Sequence, residues 1–333
     1  MHCFDRASGE VLWQMDLIER FEAPPVQFGF SSSPMVHDGH VYLLAGGQKG
    51  GLICLDPNRG DVLWNVPCQE ASYATPVAIE VDGVPQIVFV TRNKIAGVAR
   101  ENGQSLWTYQ LPERGLTNVP TPLPTGQRNL VVSGQGVGGT RELILREVEG
   151  EWQVDEGWRV STQFFYCNWI ERDGVIFGCN GKLLVAIDAK TGASRGRWRG
   201  FADANLVMRN EEILVLDGEG VLSQLQFAGD ALAVATRTRV FSQRCWTPPS
   251  LRGDQLFCRS GADVCCVDFA ADAPGEPLPS LRVRQTALAL RGEDRNKSPV
   301  GVDALEQIVD AFESGGVAGA ERRYMEIRRR DRS

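Results

Sequence analysis

The chain lacks the patterns that mark several large functional classes. No apolar run approaches the roughly 18 to 20 residues that a membrane-spanning helix needs. The first residues, Met1 to Asp5, have neither the basic start nor the apolar segment of a secretory signal. The motifs GxSxG and HExxH and the phosphate-binding P-loop do not occur. The sequence therefore predicts no transmembrane segment and singles out no catalytic residue.

The sequence also has few candidate metal ligands. There are only three histidines, His2, His37 and His40, and the last two flank one turn. The nine cysteines include no CxxC, no CxxCH and no paired spacing of metal ligands, so the sequence supports neither a zinc site nor covalent haem. We therefore predict no metal site. Nine largely unpaired cysteines suit a reducing compartment.

The charge balance argues against a general nucleic-acid binder. The net charge is −7, from 42 acidic and 35 basic residues. We therefore expect no nucleic acid among the partners and favour another protein; the oligomeric state stays open. Only the last residues are basic, and they are predicted to form a solvated tail. These residues are Arg322, Arg323, Arg328, Arg329, Arg330 and Arg332.

One phrase recurs along the chain and is its most informative feature. An acidic residue is followed by a glycine and then by a tryptophan, and self-similarity of this kind predicts a repeat architecture. We expect the acid and the glycine to bracket a turn, and the tryptophan to pack on the neighbouring repeat. The repeat positions are Asp5, Gly9 and Trp13; Asp56, Gly60 and Trp64; Gly103 and Trp107; and Asp188, Gly192 and Trp198.

The repeat period predicts the fold. Each unit opens with a small or polar step, often before proline, and continues as an apolar strand, a tight turn and a second strand. These openings lie near residues 34, 76, 122, 169, 206 and 248, at intervals of 42, 46, 47, 37 and 42 residues. That period fits four short strands with turns and is too short for a βαβ unit. The sequence predicts an all-β propeller with six recognisable four-stranded blades, spanning residues 1–284.

The two ends of the chain depart from this period. Residues 1–18 supply only the last two strands of a unit, which is half of a blade. Because a propeller hides its sheet edges by closing its ring, we expect an N-terminally truncated ring of seven or eight blades. Residues 285–333 are predicted to be a linker, a short amphipathic helix and the basic tail. The apolar residues at helical spacing are Val302, Leu305, Ile308, Val309 and Phe312.

The phrase resembles the pyrroloquinoline-quinone-type (PQQ-like) propeller repeat, whose hallmark is an acid, a Thr/Ser-Gly turn and a docking Trp. Asp188, Thr191, Gly192 and Trp198 match it with a two-residue extension. The other copies match the spacing with substitutions, and the likeness fades in the last two units. Related proteins include quinone-dependent alcohol dehydrogenases, the propeller lipoprotein of outer-membrane protein assembly and many uncharacterised bacterial propellers. The resemblance implies the periplasm or cell surface, although this chain shows no signal peptide.

The resemblance implies three alternative functions. The first is a non-catalytic scaffold or binding protein that holds a protein or a small ligand and uses no cofactor. The second is a quinone-dependent oxidoreductase, or a degenerate relative of one, that binds pyrroloquinoline quinone with calcium. The third is a sensor module of a larger signalling protein. Fold analogy cannot choose among them. Of the three, we favour the first, in which the protein is not an enzyme.

The adjacent pair Cys265 and Cys266 bears on the second alternative. Quinone-dependent alcohol dehydrogenases carry an adjacent-cysteine disulfide against their cofactor. In this chain, Cys266 aligns with Cys3 and Cys54 at the small position of a third strand. We therefore interpret these cysteines as apolar packing residues. Cys258 is expected to face Cys265 across a hairpin, but cross-strand disulfides are uncommon.

Two further features were weighed as ligand sites. The run Gly134 to Gly139 matches GxGxxG, but the residues after it read as a strand rather than the helix that a dinucleotide site requires, so we predict an inter-strand loop. In a propeller, loops at the channel mouth carry ligands. The channel-mouth candidates are the residues just before the inner strands. The alternative interpretation is that their side chains only fill the channel and bind no ligand. They are Ser31, Ser32, Tyr73, Asn118, Tyr166, Asp203 and Trp246.

Overall fold

The computed structural model describes residues 1–269, apart from residues 25, 69, 113–117 and 229–230. The expected boundary at residue 284, the helix over 302–312 and the basic tail lie outside the described residues. The described chain is almost entirely β. It has one short helix, α1 (Leu17–Phe21), which begins where the Asp16 carboxylate accepts hydrogen bonds from the Ile18 and Glu19 amides.

The strands form seven antiparallel sheets, which we number in chain order, and within each sheet every strand pairs with the next strand along the chain. Sheet 1 has only two strands, β1 (His2–Phe4) and β2 (Val11–Gln14). Sheet 2 contains β3 (Met35–His37), β4 (His40–Leu44), β5 (Gly47–Leu55) and β6 (Val62–Cys68). Sheet 3 contains β7 (Val77–Val81), β8 (Val84–Val90), β9 (Lys94–Ala99) and β10 (Ser105–Gln110).

The next two sheets repeat this order. Sheet 4 contains β11 (Leu123–Pro124), β12 (Asn129–Gly134), β13 (Gly139–Val148) and β14 (Glu151–Val160). Sheet 5 contains β15 (Ile170–Arg172), β16 (Val175–Cys179), β17 (Leu184–Asp188) and β18 (Ser194–Trp198). The GxGxxG run joins β12 to β13 as a turn, in agreement with the inter-strand loop that the sequence predicts.

Sheets 6 and 7 belong to a second compact unit, which starts at Ala204, whereas sheets 1 to 5 belong to the first unit, Met1–Asp203. Sheet 6 contains β19 (Asn205–Arg209), β20 (Glu212–Leu216), β21 (Val221–Ala228) and β22 (Ala231–Arg239). Sheet 7 shows three strands in the described part of the chain: β23 (Ser250–Arg252), β24 (Gln255–Arg259) and β25 (Val264–Asp268).

The first turn of several sheets follows directly from the sequence. In sheets 2, 3 and 5 an Asp-Gly pair joins the first strand to the second, and the Asp and the Gly both have positive φ. Asp38 and Gly39, for example, have φ values of 47° and 71°. Two consecutive residues with positive φ make the tight turn whose twist matches that of the flanking strands. The hairpins therefore begin where the sequence places them.

The core lies between the faces of neighbouring sheets. In the first unit, Tyr42 and Leu44 of sheet 2 pack with Ile87 and Phe89 of sheet 3 in one buried cluster. In the second unit, Leu214 of sheet 6 packs with Leu256 of sheet 7. Small four-stranded sheets packed face to face in sequence order are the blades of a propeller. The predicted all-β propeller architecture is thus confirmed, with a two-stranded half-blade at the start.

Candidate functional site

The repeat phrase forms a capped turn between the third and fourth strands. The Asp56 carboxylate accepts hydrogen bonds from the Asn58 and Arg59 amides at 2.8 and 3.0 Å, and Asp5 and Asp188 make the same pair of bonds at their own turns. The hydroxyl of Thr191 donates a further bond to Asp188, and this bond is the main reason why the pKa of Asp188 lies below its usual range. These aspartates are occupied as turn caps.

Three of the phrase glycines, Gly60, Gly103 and Gly192, receive a tryptophan ring from the preceding sheet. The Trp64 ring lies against Gly103, and its indole N–H donates to the Arg100 carbonyl at 3.1 Å. Trp13 docks in the same way on Gly60. All four phrase glycines, which are Gly9, Gly60, Gly103 and Gly192, have φ between 70° and 75°. The turn thus exposes a flat, Cβ-free surface to which a ring can dock.

Two tryptophans of the phrase lie elsewhere. The Trp107 ring covers Gly97 of its own sheet, and its indole donates to the Gln86 side chain at 2.7 Å. The Trp198 ring lies against Gly196, two residues earlier on the same strand. The ring that docks on Gly192 is Trp158, which the sequence analysis did not single out.

A polar clamp joins sheets 3 and 4, where the capped turn is missing. The Tyr109 hydroxyl on β10 donates to the Glu156 carboxylate on β14 at 2.5 Å. The buried Arg141 guanidinium pairs with the same carboxylate at 3.0 Å. The Tyr109 hydrogen bond is the main cause that holds the pKa of Glu156 below its ordinary value. Charge-assisted bonds of this kind replace the ring-on-glycine contact.

We call the opposite end of each sheet the loop end: there the first strand begins, and the second strand turns into the third. Three of the channel-mouth candidates meet at the loop end of sheets 2 to 4. The Ser32 hydroxyl donates to the Ala74 carbonyl at 2.8 Å, the Tyr73 hydroxyl accepts from the Phe28 amide, and the Tyr73 amide donates to the Asn118 carbonyl. The structure therefore links successive loops through these residues.

The Asn118 side chain is fully committed to this linkage. It has 0% exposure, its amide donates to the Thr91 carbonyl at 3.0 Å, and its oxygen accepts from the Gly136 amide at 3.0 Å. Ser31 is exposed, and its hydroxyl donates back to the Phe28 carbonyl. A side chain whose donor and acceptor are both satisfied internally has little left to offer a ligand. Asn118 is a positioning residue of the scaffold.

The groups that face solvent at the loop end are aromatic. Phe28 is 64% exposed and stands beside Tyr73, with 5.9 Å between ring centroids. Tyr166 and Phe165 are 44% and 39% exposed, with their ring centroids 6.2 Å apart. In the same part of the loop end, the Asp203 amide donates a hydrogen bond to the Gly181 carbonyl at 3.2 Å. Large apolar rings on a rigid scaffold suit recognition of another surface.

In the second unit, Trp246 occupies the corresponding loop before β23. It is 48% exposed, and the Arg244 guanidinium carbon lies 4.4 Å from its ring centroid. This cation–π contact holds the half-exposed ring in place. The sequence analysis did not predict Phe28, Phe165 or Arg244, because it considered only the positions next to the inner strands. The sequence signal for the two phenylalanines is the aromatic runs Phe28-Gly-Phe30 and Phe164-Phe-Tyr166.

Within the described residues, no three side chains of His, Cys, Asp and Glu come together as metal ligands. Cys265 and Cys266 are consecutive strand residues and point to opposite sides of sheet 7. No helix among the described residues is long and apolar enough to cross a membrane.

Comparison with known proteins agrees with the repeat and the blades. Residues 1–80 match the family model described as outer membrane protein assembly factor BamB. Over these residues the chain is similar to a PQQ-like propeller-repeat family. The match covers the half-blade and sheet 2, which carry the two clearest copies of the phrase. No curated protein matches the chain.

Solved structures match the chain at low sequence identity. The computationally designed Ika8 protein matches with a TM-score of 0.51 and 9% identity, covering 77% of this chain and 73% of that one. BamB from Moraxella catarrhalis gives a TM-score of 0.47 and 17% identity over 76% and 86% of the two chains. AztD from Citrobacter koseri gives 0.48 and 11% over 72% and 68%. At these identities, only the fold is common ground.

Proposed function

We propose that this PQQ-like propeller is a non-catalytic binding protein that holds a protein partner against the loop end of its first unit. The observation that carries the proposal is the set of exposed rings there, Phe28, Phe165 and Tyr166. Exposed aromatic groups are enriched where proteins bind one another, because they bury a large apolar area at a small entropic cost.

The polar groups beside these rings support a binding role over catalysis. Ser32 and Asn118 donate their side-chain hydrogen bonds to backbone carbonyls of neighbouring loops. The Tyr73 hydroxyl accepts a backbone amide. These bonds hold the loops in fixed positions, and a preorganised surface loses less conformational entropy when a partner binds.

The family match lends separate support. The matching model carries the description of an outer membrane protein assembly factor, and assembly factors act by contacting other proteins. We infer a periplasmic or cell-surface location from the same likeness.

The test is site-specific photo-crosslinking in the native host. A benzophenone amino acid placed at position 28 or 166 is expected to give a discrete crosslinked adduct with one protein. The matched control is position 63 on β6, where Leu63 is also half-exposed but belongs to an outer strand rather than the loop end. Adducts at 28 and 166 but not at 63 support the proposal.

Substitution completes the test. Phe28→Ser combined with Tyr166→Ser is expected to abolish the adduct formed from a probe at position 165, with the free energy of unfolding unchanged because both side chains are exposed. Equal crosslinking at all positions, or none at the loop end, would contradict a specific binding surface there.

The quinone-dependent alternative has its own measurement. Purified protein is titrated with pyrroloquinoline quinone and calcium in a calorimeter and assayed for dye-linked alcohol oxidation. Saturable one-to-one binding with turnover would replace the binding-protein proposal by an oxidoreductase. A sensor role would instead require the chain to be fused to a signalling domain in its host.

A further inference from the structure

The last hairpin of the second unit places two cysteines directly opposite each other. Cys258 on β24 pairs with Cys265 on β25 in the strand register. Directly opposite residues of an antiparallel pair have Cα atoms about 4.5 or 5.5 Å apart. Both spacings lie within the range of about 4.4 to 6.8 Å that a disulfide spans. The Cα spacing of the two residues is therefore compatible with a disulfide between the strands.

The surroundings of this pair are apolar and closely packed. Cys258 is 2% exposed and shares a buried cluster with Leu214, Phe241 and Cys245, and Cys265 packs against the same cluster. Cys265 itself is partly exposed. Cys265 is thus the more accessible thiol of the pair, while Cys258 is shielded.

Sheet 5 has no thiol at the equivalent register positions, which are Gly178 on β16 and Val185 on β17. Its two cysteines lie elsewhere: the Cys167 sulfur donates to the Cys179 carbonyl and accepts from the Cys179 amide. Among the described sheets, two directly opposed cysteines therefore occur in sheet 7 alone.

The two thiols also differ in protonation. Cys258 donates a side-chain hydrogen bond to Cys265, which lowers the pKa of Cys265, while the same bond, together with burial, raises the pKa of Cys258. The thiolate is the nucleophile in thiol–disulfide exchange. The exposed member of the pair is therefore the one that reacts first, and the buried member is placed to follow.

We propose that Cys258 and Cys265 form a reversible redox site that closes to a cross-strand disulfide when it meets a small-molecule disulfide such as oxidised glutathione. The Cys265 thiolate attacks one glutathione sulfur, the S–S bond breaks, and one glutathione thiolate leaves. Cys258 then loses its proton and attacks the Cys265 sulfur, which releases the second glutathione. Two cysteine thiols are oxidised, and one glutathione disulfide is reduced to two thiols.

The neighbouring thiols are the rival pairings. Cys266 stands opposite Phe257 and points to the other side of the sheet. Cys245 lies close to Cys258, in the loop before β23, and pairs with no strand residue. A bridge from Cys245 to Cys258 would link a different pair of tryptic peptides, and a bridge from Cys265 to Cys266 would lie within one peptide, so the products identify the partner.

The experiment equilibrates the full chain with oxidised glutathione under native conditions, blocks the remaining thiols with an alkylating reagent, and maps the tryptic peptides without reduction. Trypsin separates the cysteines, since residues 245–252, 253–259 and 260–282 form three peptides. The expected product links 253–259 to 260–282, and the titratable thiols of the denatured chain fall from nine to seven. Dithiothreitol restores all nine.

Variants assign the bridge within the third peptide. Cys266→Ser is expected to keep the link, whereas Cys265→Ser is expected to lose it. A link between 245–252 and 253–259, a bridge confined to 260–282, or nine free thiols in the oxidised wild-type chain would each overturn the proposal. The wild-type map decides the question even where a variant fails to fold.

Discussion

At the scale of single residues, neighbouring repeats are joined where a tryptophan ring packs on a glycine, which has no side chain in the way. A Cβ added to Gly103 would lie 2.7 Å from the Trp64 ring, and one added to Gly60 would lie 2.6 Å from Trp13. Gly83, which has a similar positive φ, has nothing within 4 Å of such a Cβ. The two kinds of glycine separate the cost of the backbone conformation from the cost of the lost contact.

We therefore predict that Gly103→Ala destabilises the protein more than Gly83→Ala does. Both changes place a side chain at positive φ, which costs about 1 to 2 kcal/mol. Only Gly103→Ala also forces the Trp64 ring to move, at a further cost of about 1 to 3 kcal/mol. Urea denaturation of the two variants measures the difference. Equal losses would show that the ring does not depend on the turn.

The tryptophan side of the same contact gives a second prediction. Trp64→Ala removes a buried ring and its hydrogen bond to Arg100, and we expect a loss of about 3 to 5 kcal/mol in the free energy of unfolding. Leu63→Ala, one residue earlier and half-exposed on the other face of β6, is the matched control and should cost less than about 1 kcal/mol. Similar losses would remove Trp64 from its docking role.

At the scale of elements, the sequence predicts the sheets where local chemistry repeats and misses the junction where it changes. The Asp-Gly turns and the second and third Trp phrases predict sheets 2 and 3 because each signal lies within a few residues of the element it fixes. Sheet 4 is different: its β13–β14 hairpin turns at Glu149-Gly150, both at positive φ, after a 10-residue strand. Trp158 lies eight residues after Gly150, whereas the tryptophan of the repeat phrase lies four residues after its glycine. The phrase therefore does not predict Trp158 as a docking residue.

The aromatic loop end was also only partly predicted. Tyr73, Tyr166 and Trp246 were candidates because they lie next to inner strands, but which of them stay exposed depends on packing between loops. Tyr73 is buried against Phe28, whereas Tyr166 is not buried. No local spacing encodes that difference.

The polar clamp between sheets 3 and 4 predicts a pH effect. The pKa of Glu156 lies below its ordinary value of 4.5, chiefly through the Tyr109 hydrogen bond. Its contribution to stability is therefore present above pH 4.5 and is lost as the pH falls through the lowered value. We expect the stability difference between wild type and Glu156→Gln to be largest near neutral pH and to shrink below pH 4.5.

Denaturant titrations at several pH values measure this difference. Glu147→Gln, which changes an exposed glutamate of the same sheet, is the control and should track the wild type throughout. A Glu156 variant that parallels the wild type from pH 7 to pH 3 would show that the clamp does not stabilise the junction.

At the scale of the whole molecule, the cysteines report on the packing of both units. Six of the nine are buried, whereas Cys3, Cys265 and Cys266 are partly exposed. Burial raises the pKa of Cys54 to about 11 and that of Cys167 to about 12. Buried thiols are thus both shielded from reagents and held protonated.

We predict that iodoacetamide at pH 8 labels three cysteines of the reduced native chain quickly and six slowly, with Cys265 among the fast group. Mass spectrometry of the labelled peptides over time measures the rates. Unfolding in urea should make all nine equal. Labelling of Cys167 at the rate of Cys3 in the native chain would contradict the packing of sheet 5.

The docking of a ring on a glycine has a consequence for how such a chain can grow. A blade that carries both a receiving turn and an outgoing tryptophan, as sheet 2 does with Gly60 and Trp64, is interchangeable at its borders: a duplicated copy would find a matching neighbour on each side. Sheet 4 sends out Trp158 but receives through Arg141 and Glu156. A duplicated copy of sheet 4 would therefore need a polar clamp on one border and a ring-receiving glycine on the other.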